Sequence, residues 1–266
     1  MDVFAIKKGQ AIELTVDKYE AETYHEYPYY RKTNNGLSFY AICPECGNPI
    51  QIVNLYREEM RQNVTGKVVL YGKHTSRRVD GFDYWNVTAK EKCSLYNPSP
   101  LGNTDIRKNS DEAKEIKLLI ENNWQKIKQD IRGILGINLF NKTLDDMYKV
   151  FMDSQAYNYK AVNKYNIPYA MIRYQQGISI YNTYLFSSPI CKIIIEEINN
   201  NSKFFEIQDN KIVKTGGGFN KIGIYLTKYQ KKEGKQYINM VIYETYDEKI
   251  RTILKETLEM KPWIYQ

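Results

Sequence analysis

Histidine is scarce in this chain: 266 residues contain two, His25 and His74. That leaves little from which to build a Ser/His/Asp or Cys/His hydrolase. It also fails the paired His/Asn set that a ββα-metal nuclease needs around its catalytic ion. Cysteine is limited to four residues: Cys43, Cys46, Cys93 and Cys191. No apolar run approaches the roughly 20 residues that span a bilayer, so no membrane partner is expected. The first residues, Met1 to Lys8, lack the apolar core of a secretory signal, and a cytoplasmic chain is expected. Internal repeats and low-complexity tracts are missing. Thr215-Gly216-Gly217-Gly218 lacks the Gly-Lys-Ser/Thr ending of a phosphate-binding loop and reads as a hairpin connection.

Charged residues at 26% and apolar residues at 42% describe an ordinary globular chain, large enough for one big domain or two modest ones. Net charge is +7, and tyrosine is abundant at 24 residues. Cations for phosphates and rings for bases are what a nucleic-acid surface uses. Lys, Asn, Ile and Tyr also share A/T-rich codons, so coding bias gives the same balance.

Cys43-Pro44-Glu45-Cys46-Gly47 is the strongest motif. Two thiols two residues apart across a turn can reach one ion at about 2.3 Å, which is half of a zinc site. The redox alternative wants the pair at the start of a helix after a strand. Gly47-Asn48-Pro49 is turn chemistry instead. A tetrahedral ion needs two more ligands, and His74 and Cys93 follow in order. Three Cys and one His make a closed structural site. The competing reading leaves Cys93 buried and inert. Cys191 sits in the apolar run 190–195 and is expected to be buried and metal-free.

The run Cys43-Pro44-Glu45-Cys46-Gly47-Asn48-Pro49-Ile50, followed by Tyr71-Gly72-Lys73-His74, Gly81-Phe82 and Cys93, resembles a set of uncharacterised bacterial zinc-knuckle proteins. Those share a CPxCxNPIQ knuckle, a YGKH turn and a later Cys. The resemblance covers about residues 38–97. It implies that His74 and Cys93 join the knuckle, and it brings no assigned activity.

Along the chain, short alternating runs at 3–7, 11–16, 37–42, 50–55 and 67–71 predict strands around the Cys turn, as in a zinc ribbon, with Gly72-Lys73-His74 as a turn. Residues 98–103 read as a linker. Ala113, Ile116, Ile120, Trp124, Ile127, Ile131 and Ile134 predict one helix of about six turns, opened by Ser110-Asp111-Glu112 and closed by Gly133 and Gly136. Further helices are expected from Thr143, from Pro168 and over 190–198. Hairpins are expected over 204–214 and 221–243, and a closing amphipathic helix over Asp247–Met260. The predicted fold is α+β: a zinc-stabilised β module (1–100), a helical region (106–200), and a small β-rich unit ending in a helix (201–266), which can pack with the helical region as one domain.

Two exposed-looking segments are candidate nucleic-acid contacts. The basic run Lys73, Arg77 and Arg78 follows the proposed ligand His74, and Tyr27, Tyr29, Arg31 and Lys32 lie in a tyrosine-rich stretch. The plain alternatives are a solvated loop and a Tyr-rich edge packed on the sheet. The leading expectation is a zinc-stabilised, basic, non-enzymatic protein that binds DNA or RNA. The first alternative is a regulator or inhibitor that binds a protein target, linked to a mobile element or phage–host conflict. The second is a metal-dependent nuclease, resting on the D-x-K pattern of Asp209-Asn210-Lys211.

Overall fold

A computed structural model describes residues 1–33, 36–57, 69–232, 235–247 and 249–264. The fold is α+β, with seven α-helices and several antiparallel sheets among these residues. Contacts divide the chain into two units. One comprises Met1–Ser99 with Lys231–Gln236 and Ile264–Gln266; the other comprises Pro100–Gln230 and Tyr237–Trp263.

In the first unit, Tyr30–Thr33, Gly36–Ile42, Pro49–Val53 and Tyr71–His74 form an antiparallel sheet in that order. Alternation sorts its side chains onto two faces. Ala41, Ile50 and His74 lie in one row and are buried, with Ile52 beside them. Tyr40, Gln51 and Lys73 form the adjacent row, which points the other way, and Gln51 and Lys73 are exposed. The strand expected over 67–71 instead runs Tyr71–His74, with Gly72 inside it. Gly72 pairs its N–H with the Met1 carbonyl at 2.8 Å, and a Cβ there would meet Ile50 Cδ1 at 3.1 Å and Met1 Cγ at 3.2 Å. The glycine permits a close strand approach rather than a stop. Lys67 and Val68 lie outside the described residues.

Among the described residues, two helices stand within the expected β-rich module. Val16–Thr23 begins where the Thr15 hydroxyl accepts from Lys18 N–H, and Val87–Lys92 begins where the Asn86 side chain accepts from Ala89 N–H at 2.8 Å. Both are side-chain N-caps that relieve unpaired amides of the first turn.

In the second unit the long apolar stripe is divided. Ser110–Asn122 and Trp124–Leu135 are separate helices. Asn123 sits between them at φ −119°, and its side-chain amide donates to the Leu119 carbonyl at 2.9 Å. Asn competes with the helix ladder in this way, and the axis breaks there. The buried stripe survives the break as Ala113, Ile116, Ile120, Ile127, Ile131 and Leu135. The first cap is Asn109 rather than Ser110, and the next helix is Asn141–Asp153, starting before Thr143. Ile167–Arg173 has Pro168 in its first turn, as expected, and Cys191–Asn201 covers the apolar run.

The closing helix expected over Asp247–Met260 is a strand, Lys249–Glu259, paired antiparallel with Lys235–Tyr246. Ile250, Ile253, Leu254 and Leu258 fit a helical stripe, but ladder pairing with a distant segment overrides that local preference. Past a bulge at Ile242/Tyr243, Leu254, Glu256, Leu258 and Met260 alternate inward, with Leu254 and Met260 buried. Glu244 faces Arg251 across the same pair at 2.9 Å and also accepts from Ser202 Oγ at 2.6 Å, which satisfies a buried carboxylate.

Candidate metal centre

Three chain segments carry the four ligand atoms to one place. The hairpin of Gly36–Ile42 and Pro49–Val53 supplies Cys43 and Cys46 from its connecting loop. That loop is closed by Cys43 N–H to the Asn48 carbonyl at 2.8 Å and by Gly47 N–H to the Cys43 carbonyl at 2.9 Å. Gly47 adopts φ +76°, a conformation that glycine takes without steric cost. His74 ends the next strand, in register with Ile50, so sheet pairing carries its imidazole toward the loop. Cys93 caps the C-terminus of Val87–Lys92.

Cys43 Sγ lies 3.6 Å from Cys93 Sγ, and Cys46 Sγ lies 3.3 Å from His74 Nε2. All four ligand atoms fall within 4.8 Å of one another, and all four residues are buried. A tetrahedral ion with bonds of about 2.3 Å to sulfur and about 2.0 Å to nitrogen would space its ligands by roughly 3.5–3.8 Å. The group is therefore near the spacing a metal would impose. Among the described residues it is the one set of three or more His, Cys, Asp or Glu side chains able to hold an ion.

The electrostatics point the same way. Hydrogen bonds from Cys43 first, then Cys93, favour the Cys46 thiolate and hold its pKa far below the usual thiol range. Cys43 is pushed up to about 12, mainly because it donates to Cys46, and Cys93 is raised because it donates to Cys43. Three thiols this close cannot all ionise unaided, because like charges disfavour one another. A divalent cation removes that conflict and deprotonates thiols that coordinate it.

Supporting residues that the sequence reading missed hold the ligands. Asn48, fully buried, donates to Cys46 Sγ at 3.3 Å and to the Asn86 carbonyl at 3.0 Å. It also accepts from Asn86 N–H at 2.7 Å, tying the loop to the cap of the helix that ends at Cys93. Glu45, between the two knuckle cysteines, accepts from Ser94 N–H and Ser94 Oγ, both at 2.6 Å. The His74 ring meets the Tyr96 ring edge-on at 5.2 Å. Lys90, buried, places its ammonium over the Tyr96 and Trp85 rings and donates to the Thr75 carbonyl at 3.2 Å. A helix start at Asn86 was a readable signal; the pairings of Glu45 and Asn48 across distant segments were not.

His25 stands apart, exposed, stacked on Tyr30 at 4.6 Å and 3.5 Å from Glu20. Cys191 belongs to the other unit and is partly exposed rather than buried. The buried positions there are Ile190, Ile194 and Ile198, and Cys191 is one residue, about 100°, off that stripe. Asp209 and Asn210 form the left-handed turn of the hairpin between Phe205–Gln208 and Lys211–Lys214.

The candidate nucleic-acid residues are partly brought together. Arg77 and Arg78 are exposed on the loop after His74, which is pinned by Thr75 Oγ1 to the Arg77 carbonyl at 2.9 Å. Tyr27 donates to Asp80 at 2.8 Å, which raises its phenol pKa, and Arg31 lies 3.6 Å from the same carboxylate. The Arg31 guanidinium is over the Tyr27 and Tyr40 rings at 5.9 and 5.8 Å. Tyr29 is half-buried with its ring edge-on to Phe82 at 5.9 Å. So the Tyr27–Arg31 stretch is joined to the 80–82 loop. Lys32 and Lys73 are exposed on the two outer strands of the sheet, at opposite edges.

Family models, curated proteins and solved structures were each compared with the chain, and none matches.

Proposed function

We propose that Cys43, Cys46, His74 and Cys93 hold one zinc ion as a closed structural centre, and that the unit so fixed binds nucleic acid without catalysing a reaction. The observation that carries this reading is the convergence of four buried N and S donors from three segments within 4.8 Å. Soft thiolate and imidazole donors suit zinc, and four protein ligands leave no position for a substrate. The resemblance to zinc-knuckle proteins groups the same four residues.

The nucleic-acid half of the reading is supported by the loop that His74 opens. It presents Arg77 and Arg78 to solvent next to the tyrosine-bearing stretch. Arginines on a pinned loop are placed for phosphates, which position a strand without reading its sequence. The test is a salt titration of binding by the zinc-loaded chain to mixed duplex and single-stranded nucleic acid. Log affinity is expected to fall linearly with log salt, and Arg77→Gln and Arg78→Gln each to reduce the duplex slope by about one. Absence of binding at low salt by a zinc-loaded, folded chain would overturn this half and leave the metal centre standing; a protein target would then take its place.

A further inference from the structure

We infer that a pocket beside the knuckle is a base-binding subsite, taking a nucleobase that carries an exocyclic amine together with its attached phosphate. This rests on the nucleic-acid reading above and adds where a base goes and which bases fit.

The pocket has a volume of about 430 Å³ and lies within the first unit. That falls in the range of small-ligand sites, roughly 300–1,000 Å³. Its walls are aromatic: Tyr29, Phe82 and Tyr84, closed by Pro28 and Ile42. Phe82 is buried and meets Tyr29 edge-on, so those rings form a fixed corner, while Tyr84 is 43% exposed and stands at the mouth. Aromatic side chains lining a partly open pocket are what stacks an unpaired base.

The backbone turns are shaped to leave this space. At Gly47, a Cβ would meet Lys8 Cδ at 3.1 Å and Tyr84 Cδ1 at 3.4 Å, so glycine lets both side chains lie against the knuckle. The zinc loop is thereby one wall of the pocket, and metal binding and base binding share a scaffold.

Two charged groups at the lining set the ligand's chemistry. Lys8 is exposed and holds its ammonium 5.6 Å from the Tyr84 ring centre, where it can meet the phosphate of a stacked nucleotide. Asp83 lines the pocket and is exposed. A carboxylate at a base site accepts from an exocyclic amine, as on cytosine, whereas the N3–H of an unpaired thymine or uracil lies between two carbonyl oxygens that repel a carboxylate.

The experiment measures binding of fluorescent oligo-dC, oligo-dA and oligo-dT strands to the zinc-loaded full chain. The variants are Tyr84→Ala, Lys8→Gln and Asp83→Asn, each checked for zinc content and thermal unfolding. Wild type should prefer dC and dA over dT. Tyr84→Ala should weaken strand binding by roughly 5- to 150-fold without changing the salt slope. Lys8→Gln should lower the single-strand slope by about 0.7. Asp83→Asn should erase the preference for amine-bearing bases. Fluorescence quenching of 2-aminopurine strands on wild type provides a readout that needs no variant. Competition by free CMP at concentrations similar to the strand would support the subsite and assign it to free nucleotides. Strand binding unchanged by Tyr84→Ala in a folded chain would overturn the pocket while the nucleic-acid reading survives. An Asp83→Asn protein with unaltered preference would overturn the amine recognition. No binding of any strand or of CMP would overturn both readings.

Discussion

Removing the Glu45 carboxylate should loosen the metal without touching a ligand. Glu45 sits between Cys43 and Cys46 and accepts two hydrogen bonds from Ser94, the residue after Cys93, each at 2.6 Å. It therefore clamps the knuckle to the segment bearing the fourth ligand, 49 residues away. Hydrogen bonds to a charged acceptor contribute about 1.5–3 kcal/mol each when shielded. Both residues are half-buried, so solvent screening takes part of that away, leaving about 2–3 kcal/mol for the pair. Spread over metal binding, that is roughly 30- to 150-fold, at the upper end of the roughly 10- to 100-fold typical of groups that orient metal ligands. Glu45→Ala should show this loss in a zinc competition titration against a chromophoric chelator. Glu45→Gln should lose less, because its amide oxygen can still accept from Ser94 N–H. If both variants held zinc within about twofold of wild type, the clamp would have no role in the site.

Thiol labelling of the native zinc-loaded protein should modify Cys191 first, with Cys43, Cys46 and Cys93 reacting only after a chelator is added; this follows from partial exposure of one and burial of three. Gly136→Ala should destabilise the second unit by about 2–5 kcal/mol, read as a shifted denaturant midpoint, since a left-handed cap without glycine costs about 1–2 kcal/mol and an overpacked contact about 1–3 kcal/mol. Its φ is +66°, and the new Cβ would stand 2.7 Å from Ile190 Cγ2. Asp145 accepts from Lys128 Nζ at 2.8 Å and Trp124 Nε1 at 3.0 Å, which holds its pKa below the ordinary carboxylate value. A depressed carboxylate stabilises above its unfolded pKa of about 3.9 and loses that effect as pH falls through the folded value. Wild type should thus exceed Asp145→Asn in stability at neutral pH, with the gap closing below about pH 4; a gap that persisted in acid would contradict the assignment.

What could be read in advance was what the chain encodes locally. Two cysteines across a turn are a short-range pattern, and a chain with so few other ligands left His74 and Cys93 as natural partners. The 110–136 stripe announced helix, because its burial period is helical whether or not Asn123 breaks the axis. The hairpin at Asp209-Asn210 followed from turn chemistry. The misses were non-local. Asp247–Met260 satisfies a helical stripe and a strand alternation equally, and only the partner strand Lys235–Tyr246 decides between them. Helix Val16–Thr23 hid behind β-branched neighbours, although Thr15 and Asp17 mark its start. Glu45–Ser94 and Asn48–Asn86 join residues far apart in the chain, and neither side chain alone signals its partner.

The central claim is that three thiols and one imidazole hold a structural zinc ion. Elemental analysis of freshly purified protein, paired with thermal unfolding before and after chelation, tests it most directly. About one zinc per chain is expected, with its loss in Cys46→Ser and collapse of the first unit when the ion is removed, because structural zinc contributes folding free energy. Protein that carries no metal when purified without chelators, and unfolds identically with and without added zinc, would contradict it.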